Sequence, residues 1–460
     1  MKGMLPHLSR GQLLCSYGRS LSSAAALDSI YDVAIIGGGM VGSALACALG
    51  RSPLTEGLRV LVLDRAPLPE VSTPLGEAPE LRVSTLTPAS VRLFSEAGAW
   101  DDMAPPRSAP FQHMQVWDFG GNGFVRYSAA TAGLPVMGYV AENRVIQAAL
   151  GKRLKQRTDF VDFMSPAVLQ SLTLPAYAPD IQAGVQSNTL AEVGLESGQT
   201  IKARLVVGAD GARSRTRQLA DLRTFSWSYH QRGIVATVRT ERPNDTAWQR
   251  FLGTGPLALL PVRDGYSNVV WSTSVAEAAR LEALTPQEFA LNVNQALQGG
   301  SMPARNPMLP RASSEDFAPP PTVFAAEGAK TQQSFPLALL GSGRYVRPRL
   351  ALIGDAAHVV HPLAGQGVNL GFADVQQLVD ALAHAVETGR DIGELGLLQD
   401  MYESPRQQEN ASMMTALDGL KRVFEPQDGL LASLRGLGLD MINGSSVMKR
   451  QIMKYAMGIA

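Results

Sequence analysis

The chain has 460 residues, with 41 Lys plus Arg against 41 Asp plus Glu, so its formal net charge at pH 7 is zero. This balance gives no overall field to attract a polyanion and argues against nucleic-acid binding, while the length allows a large core and two or three domains. With only Cys15 and Cys47, the chain lacks a disulfide framework, a Cys-rich metal site and a CxxC redox pair, and we expect no metal.

The N-terminal stretch, residues 1–27, is typical of a mitochondrial transit peptide. It contains Lys2, Arg10 and Arg19 among several serines, and the first acidic residue is Asp28. A basic, Ser-rich and acid-poor leader of this kind forms an amphipathic helix for import. A disordered N-terminus is the alternative.

A strand, a glycine-rich turn and a helix are predicted next. Residues 31–36 form a buried strand, residues 43–49 a helix of small residues and residues 59–63 a second strand, which together make a βαβ unit. The 18 uncharged residues between Asp32 and Arg51 approach the length of a membrane span. Their glycines favour the βαβ unit instead.

The glycine-rich turn carries a dinucleotide fingerprint. Gly37, Gly39 and Gly42 have the G-x-G-x-x-G spacing directly after the strand, and Asp64 ends the next strand. Small residues let the backbone approach a pyrophosphate at the positive end of the helix, and the carboxylate can accept ribose hydroxyls. These residues predict a dinucleotide site and leave open which dinucleotide binds.

The middle of the chain predicts a second domain. Residues 110–139 are irregular and aromatic, residues 144–150 are helical, and residues 191–208 form a hairpin. Three further strands, with a tight turn at 263–265, indicate an antiparallel sheet: 234–239, 256–261 and 267–271. The Pro-rich stretch 301–330 is predicted to be a surface loop, and helices dominate the C-terminus.

Two more turns resemble the first, because each places an acidic residue and glycine between a strand and a helix. Asp210 and Gly211 follow a buried strand, with Ser214 and Arg217 at the start of the next helix. The third turn follows the strand at 350–353 and comprises Gly354, Asp355, Pro362, Gly365, Gln366, Gly367 and Asn369. Three turns of this kind can converge on one extended ligand.

With all three motifs, the chain resembles the class A flavoprotein hydroxylases of the p-hydroxybenzoate hydroxylase type. The resemblance implies an α/β (α+β mixed) fold, in which a Rossmann-like FAD-binding domain is interleaved with an antiparallel-sheet substrate domain and followed by a helical C-terminus. It also implies FAD as cofactor, with Asp210 and Gly211 in a segment associated with FAD and NAD(P)H. Asp355 would contact the ribityl chain, the backbone at 365–367 would face the isoalloxazine ring, and Arg82 would approach the flavin.

Within that class, several segments resemble the ubiquinone-biosynthesis hydroxylases: 138–143, 247–251, 255–261, 270–274, 345–349 and 358–369. With the leader, this resemblance implies a mitochondrial monooxygenase that hydroxylates ring carbon C5 of a polyprenylated 4-hydroxybenzoate-derived intermediate through a flavin C4a-hydroperoxide. It further implies electrons from a ferredoxin and its reductase, a place in the coenzyme Q biosynthetic complex, and peripheral contact with the matrix side of the inner membrane. The catalytic residues are not identified.

The resemblance also implies domain boundaries. The expected segments are a transit peptide (1–27), FAD-binding parts (28–109, 141–222 and 341–390), substrate-domain parts (110–140 and 223–340) and a C-terminal helical region (391–460).

Several of these residues have structural alternatives. His358 and His361 could donate hydrogen bonds or shuttle a proton, or could simply cap helices. Asp210 and Arg217 could belong to an ordinary helix cap, and Arg82 to a surface salt bridge. Four aromatic residues could line a pocket or pack in the core: Tyr229, Trp248, Phe251 and Trp271.

The C-terminus and the overall function also have alternatives. Met448, Ile452, Tyr455 and Ile459 fall at helical spacing near Lys449, Arg450 and Lys454, on a helix that would touch a membrane or dock onto protein. The rival functions are a flavin-dependent reductase or dehydrogenase of a lipid, and a non-catalytic scaffold.

Overall fold

The computed structural model describes residues 30–459. It leaves out 71–77, 121–122, 158, 177–188, 301–302, 304–316, 326–331, 362–364, 366 and 425–429, and the side chains of 430–434. The predicted transit peptide, Pro362 and Gln366 therefore lie outside the described residues.

A mixed sheet forms the centre of the FAD-binding part. Its described strands are β1 (Ile30–Ile36), β2 (Val60–Leu63), β8 (Val161–Met164), β9 (Leu169–Thr173), β10 (Ala191–Leu195), β11 (Thr200–Gly208), β18 (Val346–Arg347) and β19 (Leu350–Leu352). β1 lies parallel to β2 and β11, and β11 lies parallel to β19. Because the ends of β1, β11 and β19 share one edge of the sheet, the three predicted turns begin side by side.

A second, mainly antiparallel sheet forms the substrate part. Its described strands are β5 (His113–Asp118), β6 (Phe124–Ser128), β12 (Thr224–Thr240), β13 (Thr246–Leu252), β14 (Gly255–Pro261), β15 (Tyr266–Ser274), β16 (Val323–Ala325), β17 (Gln333–Ser342) and β20 (His358–Val359). β20 lies within the third turn and pairs with β17, so this turn is attached directly to the substrate sheet. The predicted strands and hairpins of both sheets are confirmed.

A small sheet connects the two parts: β3 (Val83–Leu86), β4 (Ser108–Phe111) and β7 (Gly138–Glu142). The described α-helices are α1 (Met40–Leu49), α2 (Pro88–Glu96), α3 (Asn143–Lys155), α4 (Arg215–Leu219), α5 (Val275–Glu282), α6 (Pro286–Gln298), α7 (Gly367–Glu387), α8 (Leu395–Leu398), α9 (Ser404–Phe424), α10 (Leu430–Gly444) and α11 (Ser446–Ala456). Within the described part of the chain, every helix is too short or too polar to cross a membrane.

The first core lies between the mixed sheet and the helices that cover it. The small residues of α1 let this helix pack closely, and Ala44, Leu45 and Ala46 are fully buried with Val33 and Ile35 of β1. The uncharged stretch that resembled a membrane span is therefore a strand and a buried helix, as predicted.

The prediction of a surface loop over 301–330 is wrong at Val323–Ala325, which is a strand paired with β12. Val323 is 1% exposed and packs in a second core, which lies between the substrate sheet and helices α5 and α6. The side chain of Asn294 accepts from Val323 N at 2.8 Å and donates to Val323 O at 2.9 Å, which satisfies the backbone of this short edge strand. The many prolines concealed it, because proline usually excludes a strand.

Candidate active site

The first turn leaves open space at the N-terminus of α1. A Cβ atom on Gly37, at φ 108°, would lie 2.5 Å from the carbonyl oxygen of Ala209, and one on Gly42 would lie 1.9 Å from that of Gly37. These two glycines are required by the packing of the turn itself. Gly39 is different, because a Cβ there would meet no described atom within 4 Å. The open space beside Gly39 and the positive helix end suit a pyrophosphate.

Asp64 is held beside this turn. One carboxylate oxygen accepts a hydrogen bond from Gly38 N at 2.6 Å and the other accepts from Ala66 N at 2.8 Å. Each oxygen keeps a lone pair for a further donor. The side chain therefore lies next to the helix N-terminus, and its contact with a ribose stays a prediction.

The second turn is organised by Asp210. Its carboxylate accepts from the Ser214 hydroxyl at 2.5 Å and from Thr216 N at 2.9 Å, so it stabilises the start of α4. This geometry is the helix-cap arrangement that was the alternative for Asp210. Gly211 adopts φ 82° and has no described atom within 4 Å of a Cβ position, which leaves the backbone of this turn open to a ligand.

The third turn presents the carboxylate of Asp355. Gly354 adopts φ 58°, and its N–H donates to Asp374 at 2.9 Å. Asp355 is exposed to a cavity but is surrounded by protein on most sides. This desolvation raises the pKa of Asp355, and the nearby His358 opposes the rise. The carboxylate is thus positioned to accept hydrogen bonds from a ligand in the cavity.

Behind the third turn lies a buried ion-pair network that the sequence did not predict. Asp374 Oδ2 is 2.6 Å from His358 Nε2, and Asp374 Oδ1 is 2.8 Å from Arg406 Nε. Burial acts to raise the pKa of Asp374, but His358 and Arg406 outweigh it and hold that pKa below its usual value. His358 therefore contributes to the support of the turn. The sequence contained one indication of this network, because the acidic residue Asp374 interrupts the apolar side of α7.

Asn369 connects the third turn to β3. Its Nδ2 donates to Thr85 O at 2.8 Å and to Gly365 O at 3.0 Å, and its Oδ1 accepts from Ser90 Oγ at 2.7 Å. The residue is buried. Asn369 thus holds the backbone of Gly365 in position through the protein.

All three turns meet at one cavity of about 470 Å³, called here the shared cavity. Its lining on the FAD-binding side includes Gly39, Met40, Val41, Ala209, Gly211, Asp355, Gly365, Gly367 and Val368. Its lining on the substrate-sheet side comprises Met114, Val235, Ala247, Trp248, Gln249, Ala258, Leu260, Val270 and Phe335. Small backbone-exposing residues and an acid on one side, with an apolar surface on the other, suit a flavin and an aromatic substrate.

Some predicted site residues lie elsewhere. Arg82 is exposed, does not line the shared cavity, and has no ion pair with any described residue. Of the four candidate pocket aromatics, Trp248 borders the cavity, but it is only 4% exposed and packs in the second core, where its Nε1 donates to Asn244 Oδ1 at 2.9 Å. The other three also pack in the protein: Trp271 in the second core, Phe251 stacked on Phe424, and Tyr229 against His361.

Solved flavoprotein monooxygenases share this fold. The structure of pqsL, a probable FAD-dependent monooxygenase from Pseudomonas aeruginosa, covers 89% of this chain and 99% of that chain, with a TM-score of 0.64 and 20% identity. The p-nitrophenol 4-monooxygenase PnpA from Pseudomonas putida DLL-E4 covers 93% and 97%, with a TM-score of 0.67 and 17% identity. These likenesses show that the chain has the fold of FAD-dependent monooxygenases of the p-hydroxybenzoate hydroxylase type.

Sequence comparison gives the family. The FAD binding domain family matches residues 30–309 and 329–416. The mitochondrial ubiquinone biosynthesis monooxygenase COQ6 of Mus musculus is 38% identical over 461 residues, covering 97% of this chain and 94% of that protein. The 3-demethoxyubiquinol 3-hydroxylase of Escherichia coli (strain K12) is 35% identical over 430 residues, covering 93% and 98%.

The chain belongs to this family of FAD-dependent ubiquinone-biosynthesis monooxygenases. The predictions of FAD as cofactor and of a monooxygenase are therefore confirmed. The reductase and scaffold alternatives are not favoured.

Proposed function

We propose that this enzyme hydroxylates ring carbon C5 of a polyprenylated 4-hydroxybenzoate-derived intermediate in ubiquinone biosynthesis. The observation that carries the proposal is the shared cavity, in which the three flavin-type turns face an apolar sheet surface. Relatives named for ubiquinone biosynthesis support the pathway. The choice of C5 rests on the resemblance to the mitochondrial members, since the bacterial relative is named for a different position.

Reduced FAD, when bound, activates dioxygen so that one oxygen atom enters the ring and the other leaves as water. The chain's own residues must hold the cofactor and the ring. Gly37, Gly39 and Gly42 give the pyrophosphate access to the start of α1, and Asp64 is available for the ribose hydroxyls. Asp355, Gly365 and Gly367 line the shared cavity, where Asp355 would accept hydrogen bonds from the ribityl chain and the backbone at Gly365 and Gly367 would border the flavin ring.

The substrate sheet completes the active site. Its side chains at the cavity are mostly apolar, so they exclude water from the ring and from the reacting oxygen. Ring position then depends on shape and on the few polar groups that reach the cavity. The roles assigned to Asp210, Gly211, Arg82, Pro362 and Gln366 belong to the same proposal and rest on the family resemblance.

The enzyme is further proposed to act at the matrix side of the inner membrane, with a ferredoxin and its reductase as electron donors, within the coenzyme Q biosynthetic complex. Relatives named as mitochondrial support the compartment. Helix α11 supports membrane contact, because Lys449 and Met453 are buried against the substrate part while Met448, Ile452 and Tyr455 stay exposed. The helix thus docks onto its own protein and still presents an apolar face.

Labelled oxygen tests the reaction. The purified enzyme, reduced by a ferredoxin system or by NADPH, would be mixed with ¹⁸O₂ and a prenylated 4-hydroxybenzoate. The proposal predicts one ¹⁸O atom at C5 of the ring. Reoxidation that yields only hydrogen peroxide, with no label in the ring, would contradict ring hydroxylation, and label at another carbon would contradict the choice of C5 alone.

A further inference from the structure

Among the described residues on the substrate-sheet side of the shared cavity, Gln249 is the one with a side-chain amide. Side chains alternate along β13, so those of Ala247 and Gln249 point toward the cavity. The side chain of Trp248, which borders the cavity, packs in the second core, and Arg250 on that same face donates to Ala296 O at 3.0 Å. Ala258, the partner of Gln249 across to β14, is also part of the lining. The amide therefore stands between two alanines, whose small size leaves room beside it.

Gln249 is 8% exposed and lines the shared cavity, and its amide forms no hydrogen bond with another described residue. Buried polar groups are normally paired, because an unpaired one loses its bonds to water without replacement. Gln115 on the neighbouring β5 shows the usual case: its Nε2 donates to Ala318 O at 2.8 Å, and its Oε1 accepts from Ala318 N at 3.0 Å. The donor and the acceptor of Gln249 are both available to a ligand in the cavity.

We propose that Gln249 positions the substrate by a hydrogen bond to the ring hydroxyl next to the carbon that is hydroxylated. The inference rests on the proposed function and adds a specificity residue to it. An apolar surface holds an aromatic ring but does not fix its rotation, whereas one polar contact does. Because the flavin-binding turns lie across the cavity, the rotation set by Gln249 decides which ring carbon faces the flavin.

A chemical double-mutant cycle tests this role. The holoenzyme and its Gln249→Met variant would be titrated with 4-hydroxybenzoate carrying a two-unit prenyl chain, and with the same molecule lacking the ring hydroxyl. Binding is followed by the change in flavin absorbance. Met keeps the length of Gln without its amide, so Q249M should bind the hydroxylated probe about 10-fold more weakly. It should bind the deoxy probe within about 2-fold of wild type.

A second readout separates positioning from general damage. In Q249M, the fraction of oxygen found at C5 should fall and hydrogen peroxide should rise, while the spectrum of the bound flavin stays unchanged. Leu260→Val is the matched control on the same apolar surface, and it should weaken both probes by the same factor. If Q249M does not retain FAD, Gln249→Leu replaces it in the same cycle.

The outcomes distinguish the two proposals. Wild-type enzyme that binds neither probe, or hydroxylates neither, overturns the proposed function and this inference with it. Wild-type enzyme that hydroxylates the phenol, together with Q249M and Q249L variants that weaken both probes equally or not at all, overturns the role of Gln249 alone.

Discussion

The guanidinium of Arg217 donates a hydrogen bond of 2.7 Å to the carbonyl oxygen of Ala356. Arg217 follows the second turn, and Ala356 belongs to the third. A second bond, 2.9 Å long, runs from the same guanidinium to Ala212 O in the second turn. One buried cation therefore joins the backbones of the second and third turns, although Arg217 and Ala356 are 139 residues apart in sequence.

Replacing this cation should loosen the cofactor site. Arg217→Met removes both bonds and leaves two carbonyl groups without their charged donor, so FAD affinity should fall at least about 10-fold. The measurement is a fluorescence titration of the apoprotein with FAD. Arg215→Met is the matched control, since Arg215 is exposed on the same short helix. Equal FAD affinity in the two variants would show that the bridge does not shape the site.

Alanine substitutions at two glycines of the fingerprint should have different effects on stability and on FAD binding. Gly42→Ala places a Cβ atom 1.9 Å from the carbonyl oxygen of Gly37, so the apoprotein should lose more than about 3 kcal/mol of unfolding free energy or fail to fold. Gly39→Ala meets no described atom within 4 Å, so its apoprotein should unfold in urea close to wild type. Its methyl group occupies the space assigned to the pyrophosphate, and FAD retention should drop.

Gly57→Ala is the control for this pair. Gly57 is exposed, and a Cβ atom there also meets nothing within 4 Å. It should retain full FAD. A G39A protein that retains as much FAD as G57A would place the pyrophosphate somewhere else.

His361 should make stability depend on pH. It is 1% exposed, both ring nitrogens are without a partner among the described residues, and its ring packs edge-on against Tyr229 at 5.0 Å. Burial, with a smaller effect from Lys421, lowers the pKa of His361 to about 4. Between pH 6.5 and 4 the unfolded chain binds a proton that the folded chain does not, so stability falls as the pH falls through this range.

The size of this effect can be measured by urea unfolding at pH 7 and pH 5. Between pH 7 and pH 5, the unfolding free energy of wild-type protein should fall by about 2 kcal/mol more than that of His361→Gln. His230→Asn is the control, because His230 is exposed and asparagine tolerates its φ of 51°. The unfolding free energy of that variant should fall by as much as that of wild type. Identical losses in wild type and H361Q would mean that His361 is not buried as a neutral ring.

Patterns local in sequence were enough to predict much of this enzyme. Gly37, Gly39 and Gly42 stand within six residues, directly after an apolar run, so both their spacing and their structural context were visible. The long-range contacts were not visible. The network of His358, Asp374 and Arg406 joins a turn to two helices. Asp374 interrupts the apolar side of α7, but the sequence does not show which residues pair with it.

Strand register explains why Gln249 was missed. The sequence indicated the segment 247–251, but a strand has two faces, and a register shift of one residue would turn Gln249 away from the cavity and bring Arg250 toward it. Only the pairing of β13 with β5 and β14 fixes which side chains face the flavin turns. Long-range pairing also explains why β16 was missed. The prolines around it argue against a strand, and only its pairing with β12 shows that it is one.

Membrane contact through α11 should depend on its exposed apolar residues. Ile452 is 39% exposed, between Met448 at 46% and Tyr455 at 47%. Ile452→Glu introduces a charge there, so sedimentation with anionic phospholipid vesicles should show about 10-fold weaker binding. Val275→Glu is the control, since Val275 is 55% exposed on α5, and its substitution should leave vesicle binding unchanged. Equal vesicle binding by the two variants would exclude α11 as the contact.

A crystal structure of the enzyme with FAD and a prenylated 4-hydroxybenzoate bound would show whether the three turns and the substrate sheet form one active site. We expect the pyrophosphate at Gly39, the ribityl hydroxyls at Asp355, and the isoalloxazine ring in the shared cavity between Gly365 and the substrate sheet. The phenol should lie against β13 with its reacting carbon toward the flavin. A flavin ring outside this cavity, or a phenol bound away from it, would contradict the claim that the three turns and the sheet form one active site.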